Sequence, residues 1–333
     1  MKVSNDMMNK DIRTVGKMIR TFYKFRKESQ FITCNKMLNK FMRGKYIDGI
    51  NVEERYIEND DNTKLRLLIC YSDKLQENAT GVLWLHGGGY AIGIPEQELN
   101  YAKQIIENTN SVVIIPEYTL SVEKPYPAAL NDCYNALLWL KDNAEELGVN
   151  PNQLFVAGES AGGGLTAALC LYARDKKEVN IAFQMPLYPM LDCRMATKSM
   201  LENNAPVWDY EANKLGWKLY LGELFGSDNI PYYASPSLAE DYSNLPNTYT
   251  FVGNIEPFYD ETIKYIEELQ KVGINAKVDI YDGCFHAFDL FGSKKEIGKK
   301  ATQKWIEEFK YATENYYSEQ KVLKKGVKRY EKK

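Results

Sequence analysis

Leu154-Phe155-Val156-Ala157-Gly158-Glu159-Ser160-Ala161-Gly162 sets a serine between two glycines, at the seam of an apolar run and a helix-forming run. Leu154–Ala157 reads as a buried strand, and Ser160–Arg174 reads as the helix after it. A serine on a sharp strand-to-helix turn needs small flanking residues, because the backbone there is strained and neighbouring chain passes close by. The helix start aims its free N–H groups at whatever reacts with the serine. Gly163, Gly164, Ala167 and Ala168 let the helix lie tightly on a sheet. A phosphate-cradling loop is a poor reading, since no Lys followed by Ser or Thr closes the glycine run.

Outward from this turn, short apolar runs alternate with longer helical ones. The strand candidates are Leu65–Tyr71, Val82–His86, Val112–Pro116, Leu154–Ala157, Ile181–Met185, Tyr249–Val252 and Ala276–Tyr281. Helices are expected over Gln97–Asn108, Ala128–Leu147, Ser160–Arg174, Tyr259–Lys271 and Ser293–Thr313. Such alternation predicts an α/β fold with a mostly parallel sheet and helices on both faces. Two early strands, about 52–58 and 65–71, lie close enough in sequence to form an antiparallel hairpin at one edge. Residues 1 to about 48 carry Met8, Ile12, Val15, Met18 and Ile19, then Phe31, Met37, Leu38 and Phe41, at helical spacing. They read as helix packed on the core. Residues 190–235 are too long and too aromatic for an ordinary loop. They read as an inserted helix pair that joins the N-terminal helices in a cap over the carboxyl ends of the strands, where ligands bind in such sheets.

The 333 residues are 44% hydrophobic and 26% charged, ordinary values for a globular chain with a sizeable core. A net charge of −3 gives no global attraction to nucleic acid or to an anionic membrane. No apolar run reaches the roughly 18 residues of a membrane span, and the polar start lacks a signal peptide's apolar stretch. A cytoplasmic setting and no stable membrane insertion are expected. Cys34, Cys70, Cys133, Cys170, Cys193 and Cys284 are scattered, without metal-ligand or disulfide-framework spacing, and read as free thiols. No metal site is expected. The tail from Lys321 to Lys333 is rich in lysine and reads as a solvated end.

A serine nucleophile needs a base, and only two histidines exist, His86 and His286. His86 precedes Gly87-Gly88-Gly89-Tyr90, where glycines can turn N–H groups toward one point and hold the negative charge that develops on an acyl oxygen. Gly87 and Gly88, with Ala161 just after the serine, are assigned as donors. His86 then holds that loop. His286, after the strand ending at Tyr281, is left as the base. A carboxylate should orient it from behind a strand lying between Ser160 and His286. Glu256 stands closest to the end of Tyr249–Val252 and is favoured over Asp260, which falls in the next helix's first turn.

With these motifs in hand, the chain resembles the bacterial hormone-sensitive-lipase-like esterases over residues about 80 to 315. His86-Gly-Gly-Gly89, Gly158-Glu-Ser160-Ala-Gly-Gly163, Glu256-Pro-Phe-Tyr-Asp260-Glu261 and Gly283-Cys-Phe-His286-Ala-Phe288 are similar to that family's oxyanion, nucleophile, acid and histidine motifs. The resemblance implies an α/β-hydrolase fold with a helical cap and no cofactor. It also implies a small-molecule ester substrate with a short-to-medium acyl chain. The expected organisation is N-terminal cap helices (1–50), a first core part (51–189), inserted cap helices (190–235), a second core part (236–315) and a basic tail (316–333). Tyr90, Trp208, Tyr210, Trp217 and Tyr220 line a substrate pocket or form the cap's own core. A deacetylase of sugars or amides, and a silent ligand-binding protein on the same fold, are the competing readings. A homodimer stays open.

Overall fold

A computed structural model describes residues 1–22, 24–59 and 62–320. The basic tail from Lys321 onward lies outside the described residues. Two helices open the chain, α1 (Arg13–Phe22) and α2 (Glu28–Phe41). Then follow β1 (Asn51–Glu58), β2 (Lys64–Tyr71), β3 (Ala79–Leu85), α3 (Leu99–Asn108), β4 (Ser111–Pro116), α4 (Ala128–Asp142), β5 (Val149–Glu159), α5 (Ala161–Lys176) and β6 (Phe183–Leu187). The remainder is α6 (Tyr210–Leu221), β7 (Asn247–Gly253), α7 (Tyr259–Lys271), β8 (Ala276–Tyr281), α8 (Phe288–Phe291) and α9 (Glu296–Asn315).

The eight strands form one sheet in the order β1-β2-β4-β3-β5-β6-β7-β8. The β1–β2 hairpin lies at the edge, and β2 also pairs antiparallel with β4. All other pairs are parallel. Strands β3, β4 and β6 are buried at every residue, as a sheet covered on both faces requires. The chain leaves β3 toward β4 on one side and returns to β5 on the other. The order therefore reverses between β3 and β5, and the crevice at such a switch point is where ligands bind. The glycine run follows β3 and Ser160 follows β5, so both stand at that crevice.

Three expectations are corrected. Helix α4 ends at Asp142, not Leu147, because Gly148 takes a positive φ of 67° and β5 begins at once, with Val149 opposite Ala79. The insertion over 190–235 holds one α-helix, α6, rather than a pair. Asn203 accounts for part of this: its side chain accepts from Ala205 N and donates to Ser199 O, both at 2.8 Å, which stabilises a turn just before Pro206. Asp209 then caps α6 by accepting from Ala212 N at 3.0 Å. Finally, the N-terminal helices bury only a narrow stripe. Phe31 is fully buried, as is Ile12 just before α1, but Met18, Met37 and Phe41 are exposed. Met37 sits about 120° round the helix from Phe31, too far to share its buried face.

Candidate active site

Ser160 caps α5 with φ 58° and ψ −117°, a left-handed conformation that a non-glycine residue adopts only when its surroundings enforce it. Ser160 N donates to Leu187 O at 2.9 Å, and Ser160 O accepts from Gly164 N and Met190 N, each at 2.9 Å. The flanking glycines are demanded by close approach. A Cβ on Gly158 would stand 2.4 Å from Leu85 O, and one on Gly162 would stand 1.9 Å from the same oxygen. The end of β3 thus runs against the turn, and no larger side chain fits either flank.

The Ser160 hydroxyl and His286 Nε2 are 2.8 Å apart, and His286 Nδ1 meets Glu256 Oε2. A carboxylate can only accept, so Nδ1 carries the ring proton and Nε2 is left to accept from Ser160. Glu256 is fully buried, and its other oxygen accepts from Gly253 N at 3.1 Å. The imidazole has Tyr188 and Phe258 edge-on, each with its ring centroid 5.0 Å away. Asp260, the less favoured acid, points elsewhere and accepts from Ser199 N at 2.7 Å. Glu261 accepts from Leu191 N at 2.7 Å. These two carboxylates tie the start of α7 to the inserted segment.

His86 is buried, stacked on Tyr118 at 4.0 Å, and its Nδ1 donates to Gly87 O at 2.8 Å. Burial pushes its pKa down to about 4, so it is neutral at pH 7. It holds the glycine loop, as its position suggested. The assignment of Gly87 as an oxyanion donor is corrected, because its N–H donates to Glu159 Oε1 at 2.7 Å. Gly88 and Gly89 have φ 110° and 61°, and among the described residues nothing accepts the N–H of Gly88, Gly89 or Ala161. Gly89 was not among the assigned donors, because a run of three glycines does not reveal which N–H groups are left without an acceptor. Glu159 was missed as well, although an acid at the variable position before the serine was the available signal.

Glu159 belongs to a buried group of carboxylates behind the serine. Burial, then the charge of Glu98, raises its pKa well above the usual carboxylate range. Glu98 accepts from Trp84 Nε1 at 2.8 Å, and burial lifts its pKa to about 7. Asp289 is also raised by burial and accepts from Tyr101 Oη at 2.6 Å, while Tyr101 and Tyr188 share a hydrogen bond of 3.0 Å.

Of the aromatic residues expected at a pocket, Tyr90, Trp217 and Tyr220 are buried against one another, with Tyr90 and Tyr220 stacked at 3.8 Å. Tyr90 Oη donates to Met190 O at 3.0 Å. Tyr210 is half-buried at the start of α6. Trp208 lies directly over the glycine loop: a Cβ on Gly89 would meet its ring at 2.3 Å. Phe25 and Phe31 also pack on Trp208.

Comparison with known proteins agrees with this geometry. A family model described as the alpha/beta hydrolase fold matches residues 82–290. An arylesterase of Saccharolobus solfataricus is 34% identical over 226 residues, covering 66% of this chain and 71% of its own. The carboxylesterase NlhH of Mycobacterium tuberculosis is 28% identical over 266 residues, covering 79% and 83%. Among solved structures, a bacterial heroin esterase superposes with a TM-score of 0.86 at 28% identity, covering 93% of this chain and 99% of its own. The chain belongs to the α/β-hydrolase fold family, among its hormone-sensitive-lipase-like esterases, and is a serine hydrolase of the carboxylesterase type. Among the described residues, no helix is long and apolar enough to cross a membrane.

Proposed function

We propose that this enzyme hydrolyses small carboxylic esters with short-to-medium acyl chains through Ser160, His286 and Glu256. The observation that carries the reading is the continuous chain Ser160–His286–Glu256, with the serine hydroxyl 2.8 Å from the imidazole. Ser160 Oγ attacks the acyl carbon while its proton moves to His286 Nε2. The carbonyl oxygen becomes an oxyanion held by the N–H groups of Gly88, Gly89 and Ala161. Collapse breaks the bond to the alcohol, which leaves with the proton from Nε2. Water then attacks the acyl-enzyme, giving its proton to His286, and the carboxylic acid departs as Ser160 regains its hydroxyl. Glu256 holds the ring in the right tautomer and stabilises its charged form.

The preference for short-to-medium acyl chains rests on Trp208, which leaves little room above Gly89. In this reading, residues 1–50 and 190–235 act together as the cap, linked by the Arg26–Asp209 ion pair and by Phe31 on Trp208. Six cysteines without a disulfide support a cytoplasmic setting. The test is a fluorophosphonate probe followed by peptide mapping. Adduct on Ser160, abolished in Ser160→Ala, is the expected result. Adduct on a different serine, or none, would defeat the proposal.

A further inference from the structure

The overall charge of −3 conceals a sharp division of the chain. Residues 1–48 hold twelve Lys and Arg against four Asp and Glu, a balance of +8, which leaves −11 for the remainder. Several of these cations serve structure: Arg26 pairs with Asp209, and Arg43 with Glu117. Lys17, Lys36 and Lys40 are exposed and, among the described residues, meet no carboxylate. On α2, Lys36 and Lys40 stand one turn apart on the solvent side. Beside them, also one turn apart, Met37 is 56% exposed and Phe41 is 54% exposed. Helix α1 adds Met18, 62% exposed, next to Lys17. Lys40 Nζ sits 5.4 Å from the Phe41 ring centroid, so cation and apolar ring occupy one patch.

These helices also stand beside the site. A Cβ on Gly16 of α1 would lie 2.9 Å from the ring of Phe285, the residue before His286. Asn35 of α2 donates to Ala91 O at 2.8 Å and accepts from Gly93 N at 3.2 Å, gripping the segment just after the glycine run.

We propose that the N-terminal helices form a docking face for an anionic lipid surface, which holds the enzyme against esters dissolved in that surface. Unpaired lysines supply attraction to acidic headgroups. Met18, Met37 and Phe41 enter the boundary between headgroups and acyl chains, as the apolar face of an interfacial helix does. A nucleic acid would use the lysines but give no water-free place to the methionines and the phenylalanine, whereas an anionic bilayer supplies headgroup charge and an apolar layer side by side. The lipid surface is therefore the partner that accounts for both chemistries.

The test is sedimentation with vesicles, which reads binding without reference to hydrolysis. Vesicles with roughly one-third phosphatidylglycerol should take up the full chain at least about tenfold better than pure phosphatidylcholine, and 0.5 M salt (about a 4 Å screening length) should release it. Lys17→Glu/Lys36→Glu/Lys40→Glu should weaken uptake by about 100-fold, on the scale expected for three basic groups. Met37→Ser/Phe41→Ser should weaken it about tenfold at unchanged charge. Both variants should hydrolyse soluble p-nitrophenyl butyrate at the parent rate, which reports that they are folded. Parent protein that ignores anionic vesicles overturns the proposal. So does uptake that the lysine variant retains. Uptake indifferent to Met37 and Phe41, together with equally tight binding of duplex DNA, overturns the lipid assignment in favour of a general polyanion site.

Discussion

The backbone N–H of Gly87 donates to Oε1 of Glu159 at 2.7 Å, joining the loop after β3 to the turn that carries Ser160. Glu159 and Ser160 are adjacent, so this bond fixes the nucleophile's backbone relative to Gly88 and Gly89. Glu159→Ala should lower kcat by about 100-fold, on the scale of one misplaced oxyanion donor. Glu159→Gln keeps an acceptor oxygen and should remain within about tenfold of the parent. Steady-state hydrolysis of p-nitrophenyl butyrate by the two variants checks this. Equal losses in both would show that the charge matters rather than the tether.

Glu256, in the bend after β7, and Asp260, in the first turn of α7, are four residues apart but have different partners. Glu256→Gln leaves the side chain's shape intact but favours the wrong imidazole tautomer, and should lower kcat by about 10,000-fold. Asp260→Asn weakens the contact with Ser199 and the attraction to the N-terminal ammonium, and should lower kcat less than about tenfold. The ratio of the two kcat values is the measurement. A comparable collapse in Asp260→Asn would reassign the acid.

Trp208 stands over Gly89 and is held by its Nε1, which donates to Asn213 Oδ1 at 3.0 Å. Trp208→Leu removes the far half of the indole and keeps an apolar surface. It should shift the preferred acyl chain toward longer p-nitrophenyl esters and lower stability by about 3 kcal/mol. An unchanged chain-length profile would show that the acyl chain lies elsewhere.

Glu98 links pH to stability. Its folded-state pKa is raised to about 7 by burial, so the folded protein holds this proton more tightly than the unfolded chain does. The contribution is fully present below the unfolded value of about 4.5 and is lost as pH rises to about 7. Glu98→Gln removes the titration and keeps an acceptor for Trp84. Its melting temperature should fall less than the parent's between pH 4.5 and pH 7. Parallel melting curves across that window would contradict the assignment.

The core of this site was legible in the sequence because each element had a local cause. Gly158 and Gly162 announce a turn that admits no side chain, and two histidines leave few ways to supply a base. The strands were legible because burial on both faces leaves continuous apolar runs, as in Val112–Pro116. Tertiary choices were hidden. Which glycine N–H groups stay free of an acceptor depends on Glu159, which reaches Gly87 from another strand's end. Helical periodicity in residues 1–48 suggested packing, yet Met18, Met37 and Phe41 face outward, because spacing alone does not say which apolar residues find a partner. The cap was overread as a helix pair because aromatic content was taken as helix, whereas Asn203 and Pro206 turn the chain before Asp209 can start α6.

Hydrolysis of p-nitrophenyl esters from acetate to decanoate, by the parent and by Ser160→Ala, tests the central claim most directly. The account predicts turnover in the parent that is greatest for the shorter acyl chains, with kcat at least about 10,000-fold lower in the variant. Turnover that survives in Ser160→Ala would contradict Ser160 as the nucleophile, and a parent inert across the whole series would contradict hydrolysis of simple esters.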